Sequence, residues 1–313
     1  MHKGTREMDM MRRVVLGVAD VPLVERFFHG NRLAKSLVDR FIAGDSVEEA
    51  LAVAKELAAL GITVTLDQLG ENVKTREEAS AAVATYVDTL KRMKDAAIEP
   101  NISVKLTMLG LDFGDDAAET NMRPILETAR EVGGFVRVDM EGSDYTQRTL
   151  DIFYRLFADF PDNVGIVIQT YLHRSAGDVV DAIEKKTRVR LVKGAYAEPE
   201  SVAIQGADAR DRNYDTLMKH LLDKGNYPAI ATHDPALIDA AISYTRQNGI
   251  PADRFEFQML YGVRRSEQER LRKAGYNMRV YIPFGTEWYP YFTRRIAERP
   301  ANAFFVARQL IDR

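Results

Sequence analysis

The stretch ITVTLD, at residues 62–67, is the first of eight short β-rich runs that set the pattern of the chain. Apolar and polar residues alternate within it, as in a strand with two unlike faces. Similar runs recur at residues 101–107, 135–141, 164–170, 189–195, 228–233, 255–261 and 278–283. Stretches with helical spacing of apolar residues separate them. Eight strands that are each followed by a helix predict a parallel sheet closed into a distorted (β/α)8 barrel, a TIM-type α/β fold.

An open, doubly wound sheet is the alternative fold, but it rarely needs eight units this regular. The phosphate-binding patterns of such sheets are missing from the sequence. No GxGxxG follows any of the runs, and GxxxxGK[ST] does not occur. The barrel is therefore the preferred fold, without a dinucleotide fingerprint or a P-loop.

Residues 1–61 precede the first run and have helical spacing of apolar residues, with Gly61 at the end of the last helix. We expect two parts: N-terminal helices at 1–61 that pack on the barrel, and a catalytic barrel at 62–313. Four capping signals predict helix starts: Ser46 with Glu49, Thr75 with Glu78, Ser266 with Glu269, and Asp234 before Pro235.

The strands carry polar residues at every second position, although strands of a parallel sheet are usually apolar on both faces. If the apolar positions face the outer helices, the polar positions line the lumen. Charges are almost never buried without partners, because removing an ion from water costs several kcal/mol. A lumen that holds Lys105, Asp139, Gln169 and Arg190 therefore predicts an internal salt-bridge network or a polar ligand.

Composition excludes several classes of protein. The 313 residues include no cysteine, and the five histidines show no HxH or HxxxH spacing, so we expect neither thiol chemistry nor a metal site. A net charge of −3 argues against nucleic acid as the partner. No apolar run approaches the roughly 20 residues of a membrane span. These features are typical of a soluble, intracellular protein.

The last β/α unit is RVYIPFGTEWYPYFTRRIAERPAN, at residues 279–302. A helix predicted from Glu287 to Glu298 places four residues on one face: Tyr291, Arg294, Arg295 and Glu298. Two adjacent guanidiniums suit a bound carboxylate, since each offers a planar fork of donors. A solvated helix face with an Arg294–Glu298 pair is the alternative.

The residues alone leave two further functions open. Lys105 and Lys193 lie at strand ends, where barrel aldolases and lyases keep the amine that forms a Schiff base. A ligand-binding or scaffold barrel with inert ion pairs in its lumen is the third hypothesis. Borohydride trapping of a substrate on a lysine would favour the first of these two functions.

Three motifs together are similar to the proline dehydrogenases, the bacterial single-function type in particular. They are RVYIPFGTEWYPYFTRRIAERPAN, RLVKGAY at residues 190–196 and ATHD at residues 231–234, and the likeness runs from about Thr65 to the C-terminus. The resemblance implies noncovalent FAD and oxidation of L-proline to Δ1-pyrroline-5-carboxylate, the first step of proline catabolism. It also implies transfer of the electrons to a membrane quinone, from a cytoplasmic position at the inner face of the membrane.

The resemblance also assigns roles. Arg294 and Arg295 would clamp the proline carboxylate, Lys105 would contact it while held by Asp139, and Glu71 and Glu298 would pair with the two clamp arginines. The residues around the proline ring would be Leu260, Tyr281 and Tyr291. Those on the flavin would be Met140, Gln169, Arg190, Val192, Lys193, Gly194, Tyr196, Thr232 and His233. Asp139, Arg190, Lys105 and Tyr281 form the expected catalytic group.

One departure from the family pattern is Ala197, where bifunctional members carry tryptophan. We expect Arg294→Met or Arg295→Met to raise KM for proline while the flavin is retained.

Overall fold

The fold is described by a computed structural model at residues 38–289 and 291–292. Within these residues, eight parallel strands pair in chain order into a closed barrel, which confirms the predicted fold. The strands are β1 Thr63–Gln68, β2 Asn101–Val104, β3 Phe135–Val138, β4 Val164–Gln169, β5 Arg188–Val192, β6 Ala229–Ala231, β7 Glu256–Leu260 and β8 Asn277–Phe284. Strand β8 closes the barrel by pairing with β1 from Thr63↔Arg279 to Gln68↔Phe284.

One helix precedes the barrel and seven alternate with its strands in the described part of the chain. They are α1 Val47–Ala59, α2 Arg76–Asp95, α3 Asp115–Val132, α4 Ser143–Asp159, α5 Ser175–Glu184, α6 Ala207–Lys224, α7 Pro235–Gln247 and α8 Arg265–Lys273. Two short 3-10 helices, Leu106–Leu109 and Leu111–Phe113, follow β2, and a third, Ala252–Arg254, precedes β7. Of the predicted N-terminal part, residues 38–61 are described, and they contain helix α1. Of the helix predicted from Glu287 to Glu298, Tyr289, Tyr291 and Phe292 are described and are helical, whereas Glu287 and Trp288 are described and lie outside the helix.

Three of the four capping predictions are confirmed. Ser46 and Glu49 form a complete capping box, and the Thr75 and Asp234 side chains each accept a backbone N–H of the helix they precede. The prediction at Ser266 is wrong. Helix α8 starts before it, at Arg265, and its N-cap is Arg264 in the left-handed conformation, without a side-chain bond.

The apolar positions of the strands face the helices. Val64, Ile102, Val136 and Ile166 are fully or almost fully buried in one core with the inner faces of the helices. The polar positions face the lumen, as bonds between non-neighbouring strands show: Arg190 on β5 donates to Ser103 on β2, 3.0 Å away. A hydrocarbon core therefore surrounds a polar interior.

The lumen has two levels. Near the amino ends of the strands, Arg279 donates to Glu256 at 3.1 Å and to Glu99 at 3.1 Å. Arg137 lies at the same level and donates to the carbonyls of Ile166 and Arg188. This lower level is an internal ionic network. The predicted salt-bridge network therefore occupies the lower level, and the upper level opens into a cavity.

Candidate functional site

A cavity of about 1160 Å³ lies at the carboxyl ends of the strands. Barrels of this type place their chemistry at this end. The cavity is larger than the roughly 300–1000 Å³ of most small-molecule pockets, so it has room for a cofactor with a small substrate. Every described residue of the predicted site lines it: Glu71, Lys105, Asp139, Met140, Gln169, Arg190, Val192, Lys193, Gly194, Tyr196, Thr232, His233, Leu260, Tyr281 and Tyr291. Arg294, Arg295 and Glu298 lie outside the described residues.

Asp139, directly after β3, holds two groups from other strands. Its Oδ1 accepts a hydrogen bond from Nη1 of Arg190 at 2.8 Å, and its Oδ2 accepts one from the Tyr281 hydroxyl at 2.8 Å. The guanidinium of Arg190 lies 5.1 Å from the centre of the Tyr281 ring. Burial, and then the charge of Asp139, raise the pKa of Tyr281 well above its usual value. The phenol therefore stays protonated and remains a donor.

Lys105 differs from the expectation that Asp139 holds it. Its Nζ lies 2.8 Å from Oδ1 of Asp67, and Asp139 Oδ2 is farther away, at 3.8 Å. Asp67 lies on β1, whose register places it opposite Ser103 on β2, two residues before Lys105. The polar spacing of β1 was the one signal in the sequence that pointed to Asp67, and the site predicted from the sequence omitted it.

The charge state of Lys105 follows from these two carboxylates. Burial alone would lower its pKa, but the charge of Asp67, and then that of Asp139, outweigh burial and raise the pKa above its ordinary value. Burial also raises the pKa of Asp67 against the opposing charge of Lys105. Lys105 is therefore an ammonium at neutral pH, with its charge available at the cavity wall.

Two buried polar groups fit a flavin. Arg190 is 4% exposed, and neither its Nε nor its Nη2 has a hydrogen-bond partner among the described residues. Gln169 donates to the carbonyls of Met140 and Glu141, while its buried Oε1 likewise finds no donor in the described chain. Such atoms cost about 1–3 kcal/mol each unless a ligand satisfies them. Donors and an acceptor at one cavity wall match the mixed hydrogen-bonding edge of an isoalloxazine ring.

Gly194 allows a close approach at the end of β5. Its φ is +108°, and a Cβ there would lie 2.3 Å from the ring of Tyr171. A side chain is therefore excluded on two grounds, backbone conformation and space. The glycine predicted to contact the cofactor thus sits where only a glycine fits.

Lys193, His233 and Thr232 have protein partners around the cavity. Lys193 Nζ lies 2.5 Å from Asp211 and 2.9 Å from Asp234. His233 accepts the backbone N–H of Leu260 at Nε2, 2.9 Å away, and Thr232 accepts that of Asp234. The bond to His233 joins a residue predicted to bind cofactor to one predicted to contact substrate.

Burial alone would lower the pKa of Lys193, but its bonds to Asp211 and Asp234 raise it instead. Both lysines of the aldolase hypothesis are thus paired cations, poorly suited to act as the free amine of a Schiff base.

The loop after β1 carries Glu71 to the rim of the cavity. The next residue, Asn72, has a positive φ of 52° and donates its N–H to the hydroxyl of Thr107, 3.2 Å away. Thr107 in turn donates to Glu141 at 2.6 Å. These bonds tie the loop to the ends of β2 and β3.

Sequence comparison decides the family. The model of the family described as "Proline dehydrogenase" matches residues 50–308. The chain belongs to the proline dehydrogenase family. It is 39% identical over 306 residues to "Proline dehydrogenase 1" of Bacillus subtilis subsp. natto, which covers 97% of this chain and 100% of the relative. It is also 39% identical to "Proline dehydrogenase" of Deinococcus radiodurans, over 96% of this chain and 98% of that protein.

The fold of the proline dehydrogenase family is also found in a solved bifunctional relative. Proline utilization A (PutA) from Bdellovibrio bacteriovorus, inactivated by N-propargylglycine, superposes with a TM-score of 0.79 at 30% identity. The match covers 89% of this chain and 34% of that one, so the chain spans about a third of the bifunctional protein. The likeness to the single-function relatives, by contrast, extends over nearly their whole length. Family membership makes the chain an oxidoreductase that acts on proline, the first step of proline catabolism.

The described residues contain neither a candidate membrane-spanning helix nor a candidate metal site. No helix in this part of the chain has both the length and the apolar character needed to cross a membrane. No group of three or more histidine, aspartate or glutamate side chains within residues 38–289 and 291–292 is arranged to hold a metal ion.

Proposed function

We propose that the chain oxidises L-proline to Δ1-pyrroline-5-carboxylate with noncovalent FAD as the hydride acceptor. Family membership supports the substrate, and the two unsatisfied donors of Arg190 carry the assignment of the cofactor site. Asp139 compensates the charge of Arg190, but it engages only Nη1. A buried guanidinium whose Nε and Nη2 have no partner in the described chain is costly unless a bound group accepts from them.

The chemistry that FAD supplies when bound is acceptance of a hydride at N5. In this oxidation, proline loses a hydride from the ring carbon next to nitrogen and a proton from nitrogen, and a C=N bond forms. Arg190 supplies positive charge where negative charge develops, as preorganised donors do in other sites. The protein otherwise orients the reactants, since the cofactor carries the difficult chemistry.

Lys105 contributes to substrate binding and to the protonation state of the amine. Its ammonium attracts the proline carboxylate and disfavours a second positive charge on the ring nitrogen. Loss of the amine proton, which must precede departure of the hydride, is then easier. We assign Arg294 and Arg295 to the same carboxylate, and Leu260, Tyr281 and Tyr291 to the proline ring.

The proposal includes Glu71 and Glu298 as partners of the clamp arginines and a membrane quinone as the acceptor of the electrons. These assignments rest on the family resemblance. A quinone acceptor implies a cytoplasmic protein that meets the inner face of the membrane.

Identification of the reaction product tests the proposed function. Flavin-loaded protein, an artificial electron-accepting dye and L-proline should yield a cyclic imine, which an aromatic amino-aldehyde traps as a coloured adduct. D-proline is the matched control and should give much less. Dye reduction without the imine adduct, or substrate trapped on Lys105 or Lys193 by borohydride, would overturn the assignment.

A further inference from the structure

We propose that Asp67 is a positioning residue for proline oxidation, one that fixes the Lys105 ammonium where it meets the substrate carboxylate. The inference rests on the proposed function of the cavity.

Asp67 is the direct counterion of Lys105. The two side chains approach to 2.8 Å, and they are almost fully buried, with exposures of 1% for Asp67 and 12% for Lys105. The pair joins β1 to the end of β2, and both residues line the cavity. A four-carbon side chain has many rotamers, so a fixed ammonium needs a partner that selects one of them.

Asp139 cannot take the place of Asp67 without a cost to the site. Both of its oxygens are already engaged, Oδ1 by Arg190 and Oδ2 by Tyr281. Lys105 lies 3.8 Å from Oδ2. Without Asp67, the ammonium would move toward Asp139 and compete with the Tyr281 hydroxyl for the same oxygen. Asp67 therefore keeps the two halves of the site, the Lys105 side and the Arg190 side, separate.

Asp67 supplies one of the carboxylates whose charge opposes the effect of burial on Lys105. Asp67 and Asp139 are two anions, and Lys105 and Arg190 are two cations. The groups that face Lys105 are Asp67 from β1, Tyr86 from α2, and Asp139 and Glu141 from the end of β3. Burial lowers the pKa of Lys105, and without Asp67 mainly the charge of Asp139 would oppose this effect. The pKa of Lys105 should therefore fall when Asp67 is removed.

The second oxygen of Asp67 indicates contact with a ligand space. Its Oδ2 is buried and has no hydrogen-bond partner within the described chain. A purely structural ion pair usually satisfies both carboxylate oxygens, because each unsatisfied one carries a desolvation cost. An unsatisfied acceptor on a residue that lines the cavity therefore favours a role in the site over a purely structural ion pair.

The experiment measures binding and pH together. The probe is tetrahydrofuran-2-carboxylate, a proline analogue without an N–H, followed by its effect on the flavin spectrum of the holoenzyme. The affinity of Asp67→Asn for the analogue should fall between roughly pH 7 and pH 10, by about tenfold more than that of the wild type. The reason is that Lys105 in this variant loses its proton within that range. The KM for proline should rise more than kcat falls.

Two variants keep the inference open to refutation. Asp67→Glu retains the charge but displaces the ammonium, so it should bind the analogue with the pH dependence of the wild type and several-fold lower affinity. Glu99→Gln removes a carboxylate from the opposite end of the barrel and should leave the analogue's affinity unchanged.

Refutation of the role of Asp67 can be distinguished from refutation of the proposed function. A pH dependence of Asp67→Asn equal to that of the wild type, or tighter binding in this variant, overturns the role of Asp67. If Asp67→Asn does not fold, full affinity in Asp67→Glu overturns it instead. A wild-type flavin that L-proline does not bleach refutes the proposed function, whatever the variants do.

Discussion

Arg190 and Asp139 are joined across the lumen: Nη1 of Arg190 donates to Oδ1 of Asp139 at 2.8 Å, from β5 to the end of β3. The bond skips β4, so it joins two strands that are not neighbours in the sheet. It fixes the guanidinium plane and leaves Nε and Nη2 for a bound group. The cofactor assignment therefore depends on a carboxylate that need not contact the cofactor itself.

Asp139→Asn should lower kcat/KM about 100-fold. The variant removes the charge that pairs with Arg190, and an uncompensated buried charge costs about 3–5 kcal/mol. Stopped-flow bleaching of the flavin by proline measures the effect. Asp159→Asn, which loses an exposed pair with Arg123, is the control and should behave as the wild type. A bleaching rate within twofold of the wild type for Asp139→Asn would contradict the role of this pair.

Tyr281→Phe should lower kcat/KM about tenfold while the flavin is retained. The ring remains beside Arg190, but the hydrogen bond to Asp139 is lost, and a bond to a charged group contributes about 1.5–3 kcal/mol. Tyr244→Phe removes a similar bond, from Tyr244 to Asp223 at the surface, and should have no effect. Equal activities of the two variants would show that the buried hydroxyl is dispensable.

Gly194→Ala should release flavin without unfolding the barrel. A Cβ at this position meets the Tyr171 ring at 2.3 Å and requires a strained backbone, so the loop after β5 must shift. The ratio of flavin to protein after gel filtration measures the loss. Gly177→Ala is the matched control, because a Cβ there has no heavy atom within 4 Å. Full flavin content in Gly194→Ala would remove this loop from the cofactor site.

Glu256→Gln should destabilise the barrel without touching the cavity. Burial alone would raise the pKa of Glu256, but Arg279 and Gln258 outweigh burial, and the pKa lies below its usual value. A depressed pKa contributes stability above the unfolded value of about 4.3, and this stability is lost as pH falls through the folded value.

Urea unfolding of Glu256→Gln at neutral pH should therefore show a loss of about 3–5 kcal/mol. Its stability should also depend less steeply on pH below about pH 4 than that of the wild type. Glu48→Gln, at an exposed pair with Arg92, should leave the unfolding midpoint in place. An unchanged midpoint for Glu256→Gln would mean that the lower ionic level contributes nothing to stability.

Local patterns in the sequence were sufficient for the architecture. Strand alternation, such as that at residues 62–67, reports which face meets the helices, because side chains alternate across a strand. Ser46, Thr75 and Asp234 mark helix starts because each cap bond is local. The prediction at Ser266 was wrong because the N-cap of α8 is Arg264, which has a left-handed backbone and makes no side-chain cap bond.

The pairing inside the site required the three-dimensional structure. Lys105 has two acidic neighbours at the ends of adjacent strands, and strand register and barrel closure decide which is closer. Asp211 on α6 and Asp234 at the N-cap of α7 both reach Lys193, and these contacts also depend on the three-dimensional fold. Residue types and spacing indicate that a polar lumen exists, but they do not state which charges meet within it.

The most direct test of a flavin and proline in this cavity is the visible absorption spectrum of the purified protein, recorded without oxygen before and after L-proline is added. The expectation is a yellow protein whose flavin band is bleached by L-proline, and is bleached far more slowly when Arg190 is replaced by methionine. A protein that binds no flavin when FAD is supplied, or a flavin band that L-proline leaves unchanged, would contradict it.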